Sequence, residues 1–182
     1  SIRPMNGAKL LGTAFTVKVP EGDNLMFHKA MDLAEPGDVI MIDAGGDPHR
    51  AIFGELMVTY CQKRGIAGIV VDGSIRDSEE IAEMDFPIYA KGITPNGPYK
   101  NGPGEIGGVI SLGGIIVHPG DIVVGDADGV VVIKPEEAEY LAKKAKDYNA
   151  MEDGIRKGIE KGEYIRPWVD KKLEEINVEY ID

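Results

Sequence analysis

The stretch 45–77 constrains the fold more than any other part of this sequence. A glycine-rich loop leads into a helical pattern that ends at Gly65, and a short apolar run, Ile69-Val70-Val71, follows it. The run ends in Asp72-Gly73, and Arg76-Asp77 come three residues later. A helix that leads into a buried strand is typical of α/β proteins, whose ligand crevices lie in loops at strand ends. The sequence therefore predicts an α/β fold with a candidate site near Arg76-Asp77.

The composition supports a single folded domain. Hydrophobic residues make up 43% of the 182 residues, within the range of globular proteins. The chain has 24 glycines, and they lie in turns between apolar runs, which favours a turn-rich β or α/β protein over a disordered one.

Charge and cysteine usage exclude several classes of protein. The net charge is −11 and no basic stripe is present, so we expect no nucleic-acid partner. The single cysteine, Cys61, excludes an internal disulfide and a thiolate zinc site. No run of about 18 apolar residues predicts a membrane span, and the first residues lack the apolar core of a signal peptide. We therefore expect a cytoplasmic protein without a membrane partner.

Apolar runs between glycine and proline turns predict the strands of a glycine-rich sheet. A helix is predicted over 25–33, with Leu25, His28, Ala30 and Leu33 facing inward. A short helix is predicted from Ile81 to Met84, capped by Asp77 or Ser78. The predicted strands are Leu11–Val19, Val39–Ile42, Ile66–Val71, Phe86–Ala90, Ile106–Val117, Ile122–Val124 and Val130–Ile133.

A long loop and a helical tail are predicted outside these elements. Residues 92–108 form a long polar loop rich in glycine and proline, and loops of this length are usually functional or mobile. From Pro135 the chain is charged and helical, with breaks expected at Gly154, Gly158 and Gly162. We predict a core over 1–134 and a helical C-terminal tail over 135–182 that packs on the core or on a neighbouring subunit.

The helix that precedes Gly65 has two possible starts. Asp47-Pro48 is typical of a cap followed by proline at the first helical position. Gly54-Glu55 is the later candidate, and the helical periodicity is clear only from Leu56 onward. The pattern alone leaves both starts open.

The residue types around this helix and the following strand suit the binding of an anion and a cation. Unpaired amides at a helix start attract an anion, and arginine can hold a carboxylate or an oxyanion through two parallel bonds. An adjacent aspartate can bind a hard divalent cation. From the spacing alone, however, Arg76 and Asp77 are also compatible with a surface ion pair, and Glu55 with an ordinary first-turn acid.

Other candidates are weaker. His28 and His118 fit structural roles better than catalytic ones, and Cys61 lies mid-helix beside apolar residues. His49 and Arg50 are compatible with solvated loop residues. Asp126-Ala127-Asp128-Gly129 predicts a turn between strands, because the last ligand of a calcium loop is missing.

The ordered set of these motifs resembles the class II pyruvate aldolases of the 4-hydroxy-4-methyl-2-oxoglutarate type. Those enzymes share their fold with the regulator of ribonuclease activity A proteins, the RraA-like family. The resemblance covers nearly the whole chain and rests on the order and spacing of several short motifs. These are 12–17 (GTAFTV), 37–40 (GDVI), 54–57 (GELM), 68–73 (GIVVDG) with 76–77 (RD), 86–90 (FPIYA), 119–123 (PGDIV) and 126–131 (DADGVV).

The resemblance implies roles for particular residues. Asp77 would bind Mg²⁺ or Mn²⁺ directly, and Arg76 would bind the keto oxygen of pyruvate and stabilise its enolate. Gly54 and the amides of Leu56 and Met57 would seat the pyruvate carboxylate, which favours the later helix start. The acids implied to hold metal-bound water are Glu55, Asp72 and, from an adjacent subunit, Glu152.

The resemblance also implies an activity and an assembly. The fold would be a layered β/β/α swivelling domain, and the protein a trimer or hexamer with sites between subunits. Relatives usually carry further residues before the first strand, so this chain is expected to begin late.

The implied reaction is metal-dependent cleavage of a 4-hydroxy-2-oxo acid to pyruvate, with oxaloacetate decarboxylation through the same enolate. The distal end of such a substrate would meet His49, Arg50 or Lys100. The alternative is a non-enzymatic regulator that binds a ribonuclease or another protein. Members of the resembled family also carry the name demethylmenaquinone methyltransferase. That activity is not expected here, because no cofactor-binding glycine motif follows the first strand.

Overall fold

The computed structural model describes residues 1–179. The chain forms two compact units, Ser1–Ala138 and the part that begins at Glu139. The boundary predicted at 134/135 lies a few residues before this division. The packing of the tail against the core or a neighbouring subunit stays a prediction.

The core unit alternates strands and helices in its first half and consists of strands in its second half. Its elements are β1 (Arg3–Pro4), β2 (Leu10–Lys18), α1 (Leu25–Leu33), β3 (Asp38–Asp43), β4 (Ala51–Phe53), α2 (Glu55–Lys63), β5 (Gly68–Ile75), α3 (Ser78–Glu83), β6 (Ile88–Ile93), β7 (Glu105–Ile106), β8 (Ile110–Leu112), β9 (Ile115–Val117), β10 (Ile122–Gly125) and β11 (Val130–Ile133). After a short 3-10 turn, the tail contains α4 (Ala138–Glu160) and α5 (Pro167–Glu175).

A nine-stranded sheet organises the core unit, with β1, β6, β5, β3, β2, β10 and β11 in that spatial order. The neighbours β2, β3, β5 and β6 run parallel, while β1 and β10 pair antiparallel with β6 and β2. The short strand β4 pairs with the carboxyl end of β5, and β7 pairs with the carboxyl end of β2. The carboxyl ends of the parallel strands therefore meet at one edge, where α/β proteins place their ligands.

The two faces of this sheet are covered by different layers. Because side chains alternate along a strand, Ile40 and Ile42 of β3 face one layer while Val39 and Met41 face the other. The first face packs against α1, α2 and α3, and the second against the separate hairpin of β8 and β9. The predicted β/β/α layering is thus confirmed.

Helix α1 lies where it was predicted, but its buried face is different. Its buried residues are Phe27, Ala30 and Met31, whereas Leu25 and Leu33 are 40% and 49% exposed. The prediction that both leucines point inward was wrong, because Phe27 fills the core beside Phe53 with a ring separation of 5.4 Å.

Strand β5 is longer than predicted. The sequence pattern placed a turn at Asp72-Gly73, whereas the strand continues to Ile75 and all eight of its residues are buried. The Asp72 carboxylate can remain in a strand because Lys91 and the Gly113 amide lie against it. β4 and β6 also pair with the end of β5 at Ser74 and extend it. The turn begins only at Arg76.

Glycines divide the predicted strand Ile106–Val117 into three short strands. Gly113 and Gly114 both have positive φ, 57° and 87°, as tight hairpin turns require, so β8 and β9 fold back on each other. In the tail, the breaks predicted at Gly154 and Gly158 are absent, because α4 continues through both glycines. A glycine costs a helix only about 1 kcal/mol, which its neighbours offset. The turn at 126–129 is confirmed between β10 and β11.

No helix within residues 1–179 is long and apolar enough to cross a membrane.

One buried carboxylate fastens the long loop after β6 to the start of α1. Asp23, only 3% exposed, accepts hydrogen bonds from the amides of Leu25, Asn101 and Gly102. Burial acts to raise the pKa of Asp23, but these amides and the charge of Lys100 outweigh it, and the pKa is lowered from 3.8. Asp23 therefore stabilises this loop in its ionised form.

The depressed pKa predicts how Asp23 contributes to stability. Its contribution is fully present above the unfolded-state pKa and is lost as the pH falls through the lower folded-state value. We expect Asp23→Asn to lower the free energy of unfolding by about 1–3 kcal/mol at pH 7, with a difference from wild type that shrinks below about pH 4. Urea unfolding at several pH values measures this, with the exposed Asp85→Asn as the control. A difference that stays constant down to pH 3 would contradict it.

Candidate active site

A cavity of about 400 Å³ in the core unit brings together most of the predicted site. Its walls are the start of α1, the turn from β4 into α2, the turn from β5 into α3, and the loop after β6. The predicted residues that line it are Gly54, Leu56, Met57, Arg76 and Asp77.

Asp77 joins two of these walls. Its Oδ2 accepts a hydrogen bond of 3.0 Å from the Glu55 amide at the start of α2, and Arg76 Nε lies 3.7 Å from the same oxygen. Its backbone is left-handed, with φ 57° and ψ 45°, and its side chain does not cap its own helix α3. The carboxylate is thus turned away from α3 and towards α2, which leaves Oδ1 without a hydrogen bond among the described residues.

Gly54 is the residue that allows this approach. A Cβ at position 54 would collide with the Asp77 carboxylate and would lie 2.9 Å from Arg76 Cγ. The φ of Gly54 is −142°, an ordinary extended value, so the requirement for glycine is one of space. The later helix start at Gly54-Glu55 is also confirmed, because Ala51–Phe53 forms β4 and leaves no room for a helix that begins at Asp47-Pro48.

The start of α2 offers a donor for an anion. The Leu56 amide donates no hydrogen bond within residues 1–179, whereas the Met57 amide already donates to the Gly54 carbonyl at 3.2 Å. A helix start also carries partial positive charge. Of the two amides predicted to seat a carboxylate, the Leu56 amide is therefore the available one.

The three other predicted acids are not among the residues that line the cavity. Glu55 follows Gly54 directly, and its side chain accepts a hydrogen bond of 2.9 Å from Thr59. Asp72 does not line the cavity; its oxygens face Lys91 Nζ, an ion pair of 3.1 Å, and the Gly113 amide. Glu152 belongs to α4 in the other unit, so its predicted role in a neighbouring subunit's site stays a prediction.

Three further polar side chains line the cavity, and of these only Lys100 was predicted to meet a substrate. Asn24 and His28 lie one helical turn apart at the start of α1, and Lys100 lies on the loop after β6. The spacing of four residues between Asn24 and His28 could have indicated a shared face. Their nearness to Arg76 depends on the sheet, which no local pattern reveals.

The other two residues proposed for a distal substrate group support the wall instead of lining it. Arg50 stacks on the Tyr99 ring at 3.9 Å and donates to the Gly97 carbonyl at 2.7 Å. The His49 carbonyl accepts a hydrogen bond from Asn96. Both therefore hold the loop that carries Lys100.

The electrostatics of the cavity favour anionic ligands. Arg76 and Lys100 supply two positive charges, and Asp77 supplies one negative charge. Among the described residues, no three His, Cys, Asp or Glu side chains cluster as a metal site. Burial raises the pKa of Cys61 to about 12, so its thiol stays protonated and is not a nucleophile.

Comparisons with known proteins show which family the chain belongs to. A model of the RraA-like family, described as Aldolase/RraA, matches residues 1–132. A relative from Halalkalibacterium halodurans, named "Putative 4-hydroxy-4-methyl-2-oxoglutarate aldolase", is 43% identical over 95% of this chain and 83% of its own length.

Solved structures show the same fold. The RNA-processing inhibitor RraA from Thermus thermophilis has a TM-score of 0.69 and 29% identity over 73% of this chain and 81% of its own. RraAS2 of Streptomyces coelicolor, from the RNase ES inhibitor RraA family, has a TM-score of 0.74 and 29% identity over 86% and 82%. The chain belongs to the RraA-like family.

Proposed function

We propose that this protein is a divalent-metal-dependent aldolase. It cleaves a 4-hydroxy-2-oxo acid of the 4-hydroxy-4-methyl-2-oxoglutarate type to pyruvate through an enolate, and it decarboxylates oxaloacetate through the same enolate. The observation that carries the proposal is that the free Leu56 amide, the Arg76 guanidinium and the Asp77 carboxylate line one cavity. The aldolase name of the 43% identical relative supports it.

The donor set fits Mg²⁺ or Mn²⁺. Asp77 Oδ1 is free of hydrogen bonds among the described residues, while Oδ2 is held by the Glu55 amide. Magnesium typically binds one or two carboxylates and keeps several waters, so a single fixed aspartate beside a substrate pocket suits it. Asp77 would hold the ion directly, and Glu55 would orient a metal-bound water. The bound ion would act as a Lewis acid that lowers the energy of the developing enolate.

The remaining groups would bind and polarise the substrate. The Leu56 amide and the positive end of α2 would hold the C1 carboxylate. Arg76 would donate to the C2 keto oxygen, where negative charge develops when the bond between C3 and C4 breaks. Lys100 would attract the distal carboxylate of a dianionic substrate. His49 and Arg50 do not line the cavity and instead bond to the loop that carries Lys100.

The second candidate is a regulator without enzymatic activity. The solved structures named as RNA-processing and ribonuclease inhibitors favour it, since they share this fold. Fold alone does not determine function, however, and a surface that only binds a protein does not need a glycine that lets an aspartate approach a helix start. The enzyme proposal accounts for Gly54; the regulator proposal does not.

We also propose a homotrimer or hexamer in the cytoplasm. Large apolar side chains on the core unit are widely exposed, among them Leu11 at 70%, Ile116 at 64% and Val131 at 60%. Such exposure is typical of surfaces that bind another protein. Light scattering tests this assembly, and a monomer with full activity would contradict it.

The metal ligand is tested with Asp77→Asn. The amide keeps the shape and can still accept from the Glu55 amide, but it lacks the charge that binds the cation. We expect Mn²⁺ affinity measured by calorimetry and metal-dependent oxaloacetate turnover to fall by orders of magnitude, with little change in melting temperature.

The matched control for Asp77→Asn is Asp126→Asn. The Asp126 carboxylate also accepts a hydrogen bond from a backbone amide in a turn, that of Asp128, at 2.9 Å. This variant should behave as wild type. Gly54→Ala should reproduce the loss by displacing the carboxylate of an intact Asp77. Unchanged Mn²⁺ affinity in Asp77→Asn would refute the assignment.

Arg76 tests the stabilisation of the enolate. Loss of one oxyanion donor typically lowers kcat by about 10²–10³-fold, and lysine lacks the planar fork of arginine. We therefore expect Arg76→Ala and Arg76→Lys both to lose most of kcat on oxaloacetate. Their melting temperatures should stay near that of wild type, because the side chain is 46% exposed and its contact with Asp77 is long.

Arg156→Ala is the matched control for Arg76, because Arg156 makes an ion pair of the same 3.7 Å length with Asp153 on the surface of α4. Its activity should be unaffected. Full activity in Arg76→Ala would show that other groups stabilise the enolate.

A further inference from the structure

The proposed cleavage needs an acceptor for one proton. When a 4-hydroxy-2-oxo acid breaks between C3 and C4, the C4 hydroxyl must lose its proton to become a carbonyl. General bases contribute about 10²–10⁴-fold to such steps. No side chain of the cavity has been given this role above, so the inference that follows rests on the proposed function and extends it.

The polar side chains of the cavity leave one candidate. Arg76 and Lys100 are cationic donors, and Asp77 is the proposed metal ligand. The Asn24 amide is not basic, and its Nδ2 donates to the Ile52 carbonyl at 2.8 Å. Only His28 offers a neutral nitrogen with a free lone pair.

The position of His28 suits this role. It lies in the first turn of α1, with its backbone amide bonded to the Asn24 carbonyl at 3.1 Å, so the two side chains share a face of the helix. Its imidazole is partly buried and makes no hydrogen bond within residues 1–179, nor any ion pair with Asp77. The ring is therefore available to a ligand.

Burial and the charge of Lys100 both favour the neutral form of His28. Burial lowers the pKa of the imidazole below 6.5, and the positive charge of Lys100 lowers it further. Asp32, one turn along α1, acts in the opposite direction, and Arg76 and Asp77 line the same cavity. At neutral pH the ring can accept a proton.

We propose that His28 is the catalytic base for the C4 hydroxyl. The hydroxyl proton moves to the free imidazole nitrogen, C4 becomes a carbonyl carbon, and the C3–C4 bond breaks. Its electron pair forms the pyruvate enolate, whose oxygen faces Arg76. The imidazolium then returns the proton to C3, which becomes the methyl group of pyruvate, and His28 is neutral again. The step needs no external proton or co-reactant.

The two reactions of the site separate this role from a structural one, because oxaloacetate has no C4 hydroxyl and loses CO₂ without a base. We expect His28→Gln to lower kcat for cleavage of 4-hydroxy-4-methyl-2-oxoglutarate by about 10²–10⁴-fold while oxaloacetate decarboxylation stays near the wild-type rate. His118→Gln is the matched control, since His118 lies outside the cavity and pairs with Asp121. It should leave both rates unchanged.

A second readout follows the proton itself. In wild type, kcat/KM for cleavage should fall on the acid side as the imidazole protonates, below the usual value of 6.5. Lys100→Met removes the neighbouring charge and should move this limb to higher pH. It should also raise the pKa of His28 measured by NMR in the metal-free protein.

The outcomes are distinct. Wild-type cleavage in His28→Gln, or an equal loss of cleavage and decarboxylation in a folded His28→Gln, would overturn the role of His28 and leave the aldolase proposal standing. An unmoved pKa of His28 in Lys100→Met would overturn the proposed environment of the base. Absence of both reactions in wild type with Mg²⁺ or Mn²⁺ would overturn the aldolase and the base together.

Discussion

The hydrogen bond from the Glu55 amide to Asp77 Oδ2 is the contact on which the candidate site depends. It joins the turn after β5 to the start of α2, and it exists only because Gly54 has no side chain. Asp77 also has a left-handed backbone conformation, which costs L-residues in general about 1–2 kcal/mol. Strain of this kind is common at functional sites, and here its result is a carboxylate with one oxygen held and one free.

The rest of the cavity is built around that contact by longer-range packing. The parallel strands bring β4, β5 and the helix starts to one edge of the sheet, and Asp23 fastens the loop that carries Lys100 to α1. As a result, an available amide, two cations and a carboxylate converge from segments far apart in sequence. This is the charge pattern expected for a small 2-oxo acid and a divalent cation.

The sequence predicted those parts of the fold that depend on local pattern and motif order. The β/β/α layering and the start of α2 at Gly54-Glu55 were confirmed, and Arg76, Asp77 and Leu56 do line one cavity. What it missed depends on distant partners. The extension of β5 through Asp72 needs Lys91 and Gly113, and the burial of Phe27 in place of Leu25 needs Phe53. His28 was taken as structural because nothing near it in sequence shows that α1 borders the cavity.

Formation of a pyruvate enolate at this site can be measured without knowledge of the physiological substrate. Proton NMR of pyruvate in D₂O with the wild-type protein follows exchange of the methyl protons with solvent. We expect exchange that requires Mg²⁺ or Mn²⁺ and stops when the ion is chelated. No exchange with either ion would contradict enolate formation at this site and favour the non-enzymatic regulator.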